Sequence, residues 1–420
     1  MAVLSNDEQD AAAAVDWGSL LKDGDGAFAR SVVHRYDSVC DGTNALCVAF
    51  VTYGGKAAFA CGGAVGVINV YNLSSHDRLL SVRASGPVLS LDFNERLGVL
   101  AAGVMDGKLL LLDLGATRGE GAEQSTQQLC DHNKFVVAVK WGGDGLLLAT
   151  ASYDKTVVLY RVQKITATAA ATTAPAGGHS WELAKVATLR YPNSPESVAF
   201  LPGAEGVELV VAVRYEPYPY PNLSFRNARC LLCISAVFVP TRTTNYLPTY
   251  LPTYLPTYLT KQPTLCSLRE SCSLVYVSCG SLEEREVSLN AHSWDKHVSF
   301  TALHLCPSPD GRYLVVATDK NMHVMLLAGT STRVRIFAGH SCGDYGKPRL
   351  SFDPTGRYLY SNSENESCVY VYSVASERPA EVLQGHQGVV RDVCCHPLRR
   401  ELLTASHDKS AIFWTGRSTL

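Results

Sequence analysis

Three sets of residues in this sequence have types and spacings that could do chemistry. The first is a repeated pair: His132 and Asp154 stand 22 residues apart, and so do His386 and Asp408. An imidazole and a carboxylate at fixed separation can act as an acid–base couple, or can lock two loops together. The second set is thiols. Cys230, Cys233, Cys266, Cys272 and Cys279 are zinc-ligand types, and Cys394-Cys395-His396 is a compact version. Spacing argues against both. The first group is irregular with no His nearby, and alternation along a strand puts Cys394 and Cys395 on opposite faces. No metal is expected. The third is Cys61-Gly62-Gly63 through Gly66, which resembles a phosphate-cradling loop but is followed by no helix and reads as a turn. No G-x-S-x-G, P-loop or H-E-x-x-H occurs, so no catalytic residue and no cofactor is assigned, and the chain is read as a non-enzyme.

The elements that position the His–Asp pairs are strands. Residues 385–414 read GHQGVVRDVCCHPLRRELLTASHDKSAIFW. An apolar run (389–395) is followed by a turn (396–400), a second run (402–405), a tight turn at His407-Asp408-Lys409, and a third run ending in an aromatic, Trp414. These are three short antiparallel strands. Residues 131–162 repeat the pattern, and Asp154 precedes Tyr160 by six residues, as Asp408 precedes Trp414. Two independent spacings that agree define an internal repeat.

These stretches resemble the WD repeat, the unit of a β-propeller blade, although the family's Trp-Asp ending survives here only as Trp414-Thr415. The resemblance covers roughly residues 31–215 and 273–414. It implies an all-β, seven-bladed propeller closed by an N-terminal strand, because the last repeat ends at its third strand and SVVHRY (31–36) can supply the fourth. It also implies an architectural role for the pairs, through a hydrogen-bonded relay of His, Asp, Ser and Trp. The expected members are His132, Ser152 and Asp154, then His340, then His386, Ser406, Asp408 and Trp414. A buried imidazole left unpaired costs about 1–3 kcal/mol, which is the reason for such a relay.

In chain order, residues 1–28 are acidic and Ala/Gly-rich and read as a flexible tail. Residues 29–420 read as a single propeller. Blade 4 breaks at 216–272, where YLPTYLPTYLPTYLT places proline at every fourth position and so forbids both helix and central strand. This segment is expected to be a disordered insertion between the second and third strands of blade 4, which resumes at Ser273. Its undrifted four-residue unit suggests retained non-coding sequence or a recent expansion, which a transcript read across 210–275 would decide.

Composition narrows the function classes. The chain is 46% hydrophobic and 18% charged with a net charge of −2, so neither nucleic acid nor an anionic membrane is an expected partner. No apolar run approaches the roughly 18 residues of a membrane-spanning helix. The start lacks a basic leader, and 14 scattered cysteines read as reduced thiols, which implies a cytoplasmic or nuclear protein.

Propellers of this kind commonly bind partners across the narrow face, where the loops leading into each blade meet the turns between second and third strands. The residues expected there are Lys134, Phe135 and Tyr153 in blade 3, Asp344, Tyr345 and Lys347 in blade 6, and Arg391 and His407 in blade 7. Aromatic and arginine side chains are the usual anchors of protein interfaces. The function expected is a protein–protein interaction scaffold or adaptor, serving other proteins or peptides or a multi-subunit complex. One alternative is a substrate receptor of a cullin-type ubiquitin ligase, since LLTASHDKSAIFWTGR partly follows such a docking motif, with Trp414 and Arg417 matching and Thr415 and Ala411 departing. A second alternative is a small-ligand or catalytic site in the central channel, which would need converging ionisable groups at its mouth.

Overall fold

The computed structural model describes residues 30–115, 126–142, 145–164, 181–203, 206–214, 273–289, 300–342 and 346–416. The expected tail at 1–28, the insertion at 216–272, and Asp344 and Tyr345 lie outside these residues. Every described element is a strand.

The chain begins with β1 (Arg30–Tyr36). Blade 1 is β2 (Ala45–Tyr53), β3 (Lys56–Gly63), β4 (Val67–Asn72) and β5 (Arg78–Arg83). Blade 2 is β6 (Val88–Asn94), β7 (Val99–Val104), β8 (Leu109–Asp113) and β9 (Thr126–Leu129). Blade 3 is β10 (Val136–Gly142), β11 (Leu147–Ser152), β12 (Thr156–Lys164) and β13 (Trp181–Arg190). Blade 4 is β14 (Pro195–Gly203), β15 (Gly206–Val213), β16 (Ser273–Ser278) and β17 (Glu284–Ser288). Blade 5 is β18 (Ala302–Pro307), β19 (Tyr313–Thr318), β20 (Met322–Leu327) and β21 (Arg333–Ala338). Blade 6 is β22 (Leu350–Phe352), β23 (Tyr358–Ser363), β24 (Cys368–Ser373) and β25 (Pro379–Gln384). Blade 7 is β26 (Val390–Cys395), β27 (Glu401–Ser406) and β28 (Ala411–Gly416), with β1 as its outer strand.

The seven four-stranded antiparallel sheets form a closed ring. Each innermost strand packs beside the next, from β2 round to β26, and β26 returns to β2. The ring is latched as expected: β1 pairs antiparallel with β28, with Val32 opposite Trp414 and Tyr36 opposite Ala411. Val39 N–H also donates to Lys409 carbonyl at 3.1 Å. The latch covers β28, which would otherwise be an open outer edge of blade 7. β15 pairs directly with β16, Ala212 opposite Leu274, so the two strands flanking the expected insertion are neighbours in one blade.

Burial follows from this stacking. The second strands VLAAGV, LLATAS and YLVVAT are buried at every position. They are covered on both faces by adjacent blades and so read as continuous apolar runs rather than alternating ones. The outer strands RLLSVR and EREVS are largely exposed and carry the charge.

A bulge recurs at the start of the innermost strands, and the residue after it reaches the next blade. Ser90 Oγ accepts from Val139 N–H at 3.0 Å, Ser197 Oγ from Leu305 N–H at 3.1 Å, and Asp392 Oδ2 from Val48 N–H at 2.9 Å. His304 Nδ1 does the same for Leu350 N–H at 3.3 Å. These side chains satisfy backbone donors that inter-strand ladders cannot reach.

Candidate functional site

The paired histidines sit in hydrogen-bonded relays inside their blades. In blade 7, His386 Nδ1 lies 3.0 Å from Asp408 Oδ2, and Nε2 lies 2.7 Å from Thr404 Oγ1, which also accepts Trp414 Nε1–H at 3.0 Å. With the proton on Nδ1, the order of donation is Trp414 to Thr404 to His386 to Asp408, a one-way chain in which each bond polarises the next. Ser406 stands beside this chain rather than in it. Its hydroxyl donates to Gly388 carbonyl at 3.0 Å and accepts Asp408 N–H at 3.1 Å. The expected link from His through Ser to Trp is therefore corrected: Thr404 makes it, because its side chain points to the blade interior between the two rings.

Asp408 binds the lead-in loop by accepting Gln387 N–H at 2.8 Å, closes its own turn by accepting Ser410 N–H at 3.0 Å, and pairs with Arg35 of β1 at 3.2 Å. Burial alone would raise its pKa. The bonds from His386, Ser410 and Gln387 outweigh burial and hold the carboxyl well below the usual range. The same bonds hold Lys409 at φ 71°, a left-handed position that Lys155 (69°) and Gly107 (93°) take in the matching turns of blades 3 and 2. Blade 3 repeats the cage, with His132 Nδ1 3.1 Å from Asp154 and Nε2 2.8 Å from Thr150 Oγ1. Ser152 again bonds the loop, at Lys134 carbonyl. Tyr160 departs from the pattern: its hydroxyl donates to Asp131 at 2.8 Å.

Blade 6 is built differently. His340 Nδ1 pairs with Tyr372 hydroxyl at 3.0 Å, and its ring stacks on His323 at 3.9 Å. The acidic turn residue Glu366 faces Ser363 and Tyr370 instead. Burial lowers His323 far below its ordinary pKa and takes His340 to about 4, so both rings are neutral.

The relays fix the loops that surround the channel mouth. A cavity of about 360 Å³ opens there, lined from blades 2 to 6. Its apolar wall is Leu89, Val137 and Leu303, with Phe135, 38% exposed, at the rim. Phe135 and Tyr153 rings lie 6.0 Å apart. Tyr153 is half-buried rather than projecting into solvent, because its hydroxyl bonds both oxygens of Glu196, at 3.1 and 3.0 Å. Glu196 also pairs with Arg214 at 3.5 Å. Lys347 Nζ lies 3.3 Å from Tyr153 hydroxyl and 5.3 Å from its ring centre. Burial, with Arg349, Arg391 and Arg214 nearby, lowers Lys347 to about 8 even though Glu196 opposes the shift. Arg391 pairs with Glu364 at 3.7 Å, and Glu364 accepts Lys347 backbone N–H at 2.5 Å. His407 is half-buried, and its pKa is lowered by burial and by Arg391, against Glu364. Lys134 is exposed at the same rim.

Phe135, Tyr153 and Lys347 thus meet in one cavity, Arg391 and His407 share a charge cluster beside it, and Lys134 stays outside. Glu196, Arg214, Arg349 and Glu364 were not picked out from sequence, although two position rules would have found three of them. The residue just past the second strand is Tyr153 in blade 3, His407 in blade 7, Arg214 in blade 4 and Glu364 in blade 6. Each donates its N–H to a residue of the lead-in loop of its own blade. Glu196 takes the bulge position in β14 that Arg391 takes in β26. The mouth therefore does carry converging ionisable groups, which the histidine-based reading of the channel did not foresee. Among the described residues no group of three or more His, Cys, Asp or Glu is placed to hold a metal. Of the ligase-docking motif, Trp414 is 3% exposed and serves the relay, Thr415 pairs with Ser31, and Arg417 lies outside the described residues.

The family profile described as "WD domain, G-beta repeat" matches residues 123–161 and 377–415, the regions of blades 3 and 7. A periodic tryptophan protein 2 homolog of Dictyostelium discoideum is 35% identical over 65 residues, covering 16% of this chain and 7% of that protein. A WD repeat-containing protein WDS homolog of Arabidopsis thaliana is 29% identical over 109 residues, covering 26% of this chain and 21% of that protein. The mouse periodic tryptophan protein 2 homolog is 29% identical over 65 residues, covering 16% of this chain and 7% of that protein. The matched part thus spans 7% to 21% of the relatives' own length. The chain thus carries WD repeats, matched by the profile in blades 3 and 7, within a seven-bladed β-propeller fold.

Proposed function

We propose that this propeller is a non-enzymatic protein-interaction platform that docks a segment of a partner protein at the channel mouth of its narrow face. One observation carries the reading. Five blades contribute to a single cavity that joins an apolar wall to a ring of charged groups, and Phe135 stands half-exposed at its rim. Such a mixed concave surface with an aromatic anchor suits an extended segment. The histidines of the relays are engaged inside their blades.

The test is site-specific photo-cross-linking in cells, with a benzophenone residue replacing Phe135 or, on the opposite rim, Leu398, which is 84% exposed. The same partner should be captured from position 135 and not from 398. Capture from 398 alone would end the reading. Most of the described cysteines are buried inside the blades, which fits the cytoplasmic or nuclear setting we propose and that imaging of the tagged chain can check.

A further inference from the structure

The charges at the mouth do not balance. Arg214 is matched by Glu196 at 3.5 Å and Arg391 by Glu364 at 3.7 Å. Lys347 and Arg349 line the same cavity, and neither has a carboxylate within ion-pair distance among the described residues. Among the described residues the Lys347 ammonium directly contacts the neutral Tyr153, through the hydroxyl at 3.3 Å and the ring face, and Glu196 acts on it only from beyond that hydroxyl. The deeper carboxylates are already engaged: Asp392 accepts Val48 and Val393 N–H groups, and Asp92 accepts Trp141 N–H and pairs with Lys140 at 3.3 Å. A half-buried cation without a counter-ion is costly, and the cost persists because the backbone pins both residues. Lys347 N–H donates to Glu364 at 2.5 Å, and Arg349 N–H donates to Asn362 Oδ1 at 2.6 Å. Asn362 is itself tied to Val390 carbonyl at 2.7 Å. The backbone of both residues is thus fixed where they line the open cavity.

We propose that the channel mouth receives an acidic side chain of the docked segment, held between the Lys347 ammonium and the Arg349 guanidinium. The inference rests on the docking reading above and names the chemistry of its occupant, an acidic peptide. The cavity of about 360 Å³ admits one side chain and its neighbours, not a folded domain. The wall of Leu89, Val137 and Leu303 takes an adjacent apolar residue, and Phe135 covers the segment where it leaves. A guanidinium and an ammonium on one anion give charge-assisted bonds stronger than neutral ones.

The test uses degenerate twelve-residue peptide pools with a fixed central Glu, phosphoserine, Gln or Lys, with binding to the full chain read by fluorescence anisotropy. The Glu or phosphoserine pool should bind at least about tenfold tighter than the Gln and Lys pools, and which of the two is tighter identifies carboxylate or phosphoryl as the preferred anion. Lys347→Met and Arg349→Met should each weaken the acidic pool by about tenfold or more, while Lys56→Met, at the start of β3 on the opposite face, should not. Far-UV circular dichroism confirms that each variant is folded. Equal binding of the Gln or Lys pool, or acidic binding that survives both substitutions, overturns the inference. If position 135 still captures a partner whose docked segment is neutral or basic, the docking reading stands and only the acidic occupant falls.

Discussion

Thr404→Val tests the architecture at the atom that carries it. Thr404 is fully buried, and its hydroxyl accepts Trp414 Nε1–H at 3.0 Å and bonds His386 Nε2 at 2.7 Å. Valine keeps the β-branched shape, so packing changes little while two polar groups lose their partner. The His386 side chain is 2% exposed and Trp414 is 3% exposed, so water cannot replace the hydroxyl. At about 1–3 kcal/mol for each of the two buried groups left unpaired, the variant should lose about 2–6 kcal/mol. Urea denaturation followed by far-UV circular dichroism measures it. A double-mutant cycle with Trp414→Phe isolates the shared bond, and the coupling should be about 1 kcal/mol. A loss below about 0.5 kcal/mol, or no coupling, would show that the tryptophan and the imidazole do not communicate through this hydroxyl.

Three further outcomes follow from the same geometry. Removing residues 1–36 takes away β1 and leaves β28 as an open edge, so the truncated chain should aggregate on heating and unfold at lower temperature, read by light scattering and calorimetry. The neutral pair His323 and His340 has folded pKa values below the unfolded value near 6.5. Below that pH the unfolded chain takes up protons that the folded chain refuses, so stability is full above about 6.5 and falls towards about 4. His340→Phe should flatten that acid limb in denaturation curves taken at several pH values, even if the variant starts from a lower plateau. Lys347 has a folded pKa depressed to about 8, so its charge opposes folding at neutral pH and this penalty fades as pH rises through 8 towards the unfolded value. Lys347→Met should therefore raise the melting temperature at pH 7 while weakening acidic peptides, whereas a residue serving only stability would lower both.

Much of the fold was legible because blades 3 and 7 keep their spacings intact. The strand 31–36 could be placed because blade 7 ends one strand short, and the resumption of blade 4 at Ser273 because β16 carries the third-strand pattern. The relay was read one residue type wrong. Ser406 and Thr404 share one face of β27, but Ser406 stands at the loop end and bonds Gly388, while Thr404, two residues further from the turn, reaches both rings with the same hydroxyl chemistry. The channel mouth was half legible. Tyr153, Lys347 and Arg391 could be picked out by position, but Glu196 and Arg214 sit in blade 4, whose repeat is interrupted, and their counterparts in other blades are apolar or uncharged at several positions. The charge balance of the mouth comes from residues far apart in sequence that only the closed ring brings together.

Hydrogen–deuterium exchange on the full chain, with and without the partner captured from position 135, measures most directly where that partner sits. Protection should appear at 133–137, 153–155 and 346–349, and the opposite-face turns at 53–56 and 396–400 should exchange unchanged. Protection confined to those opposite turns, or to the outer strands β5 and β17, would contradict docking at the channel mouth.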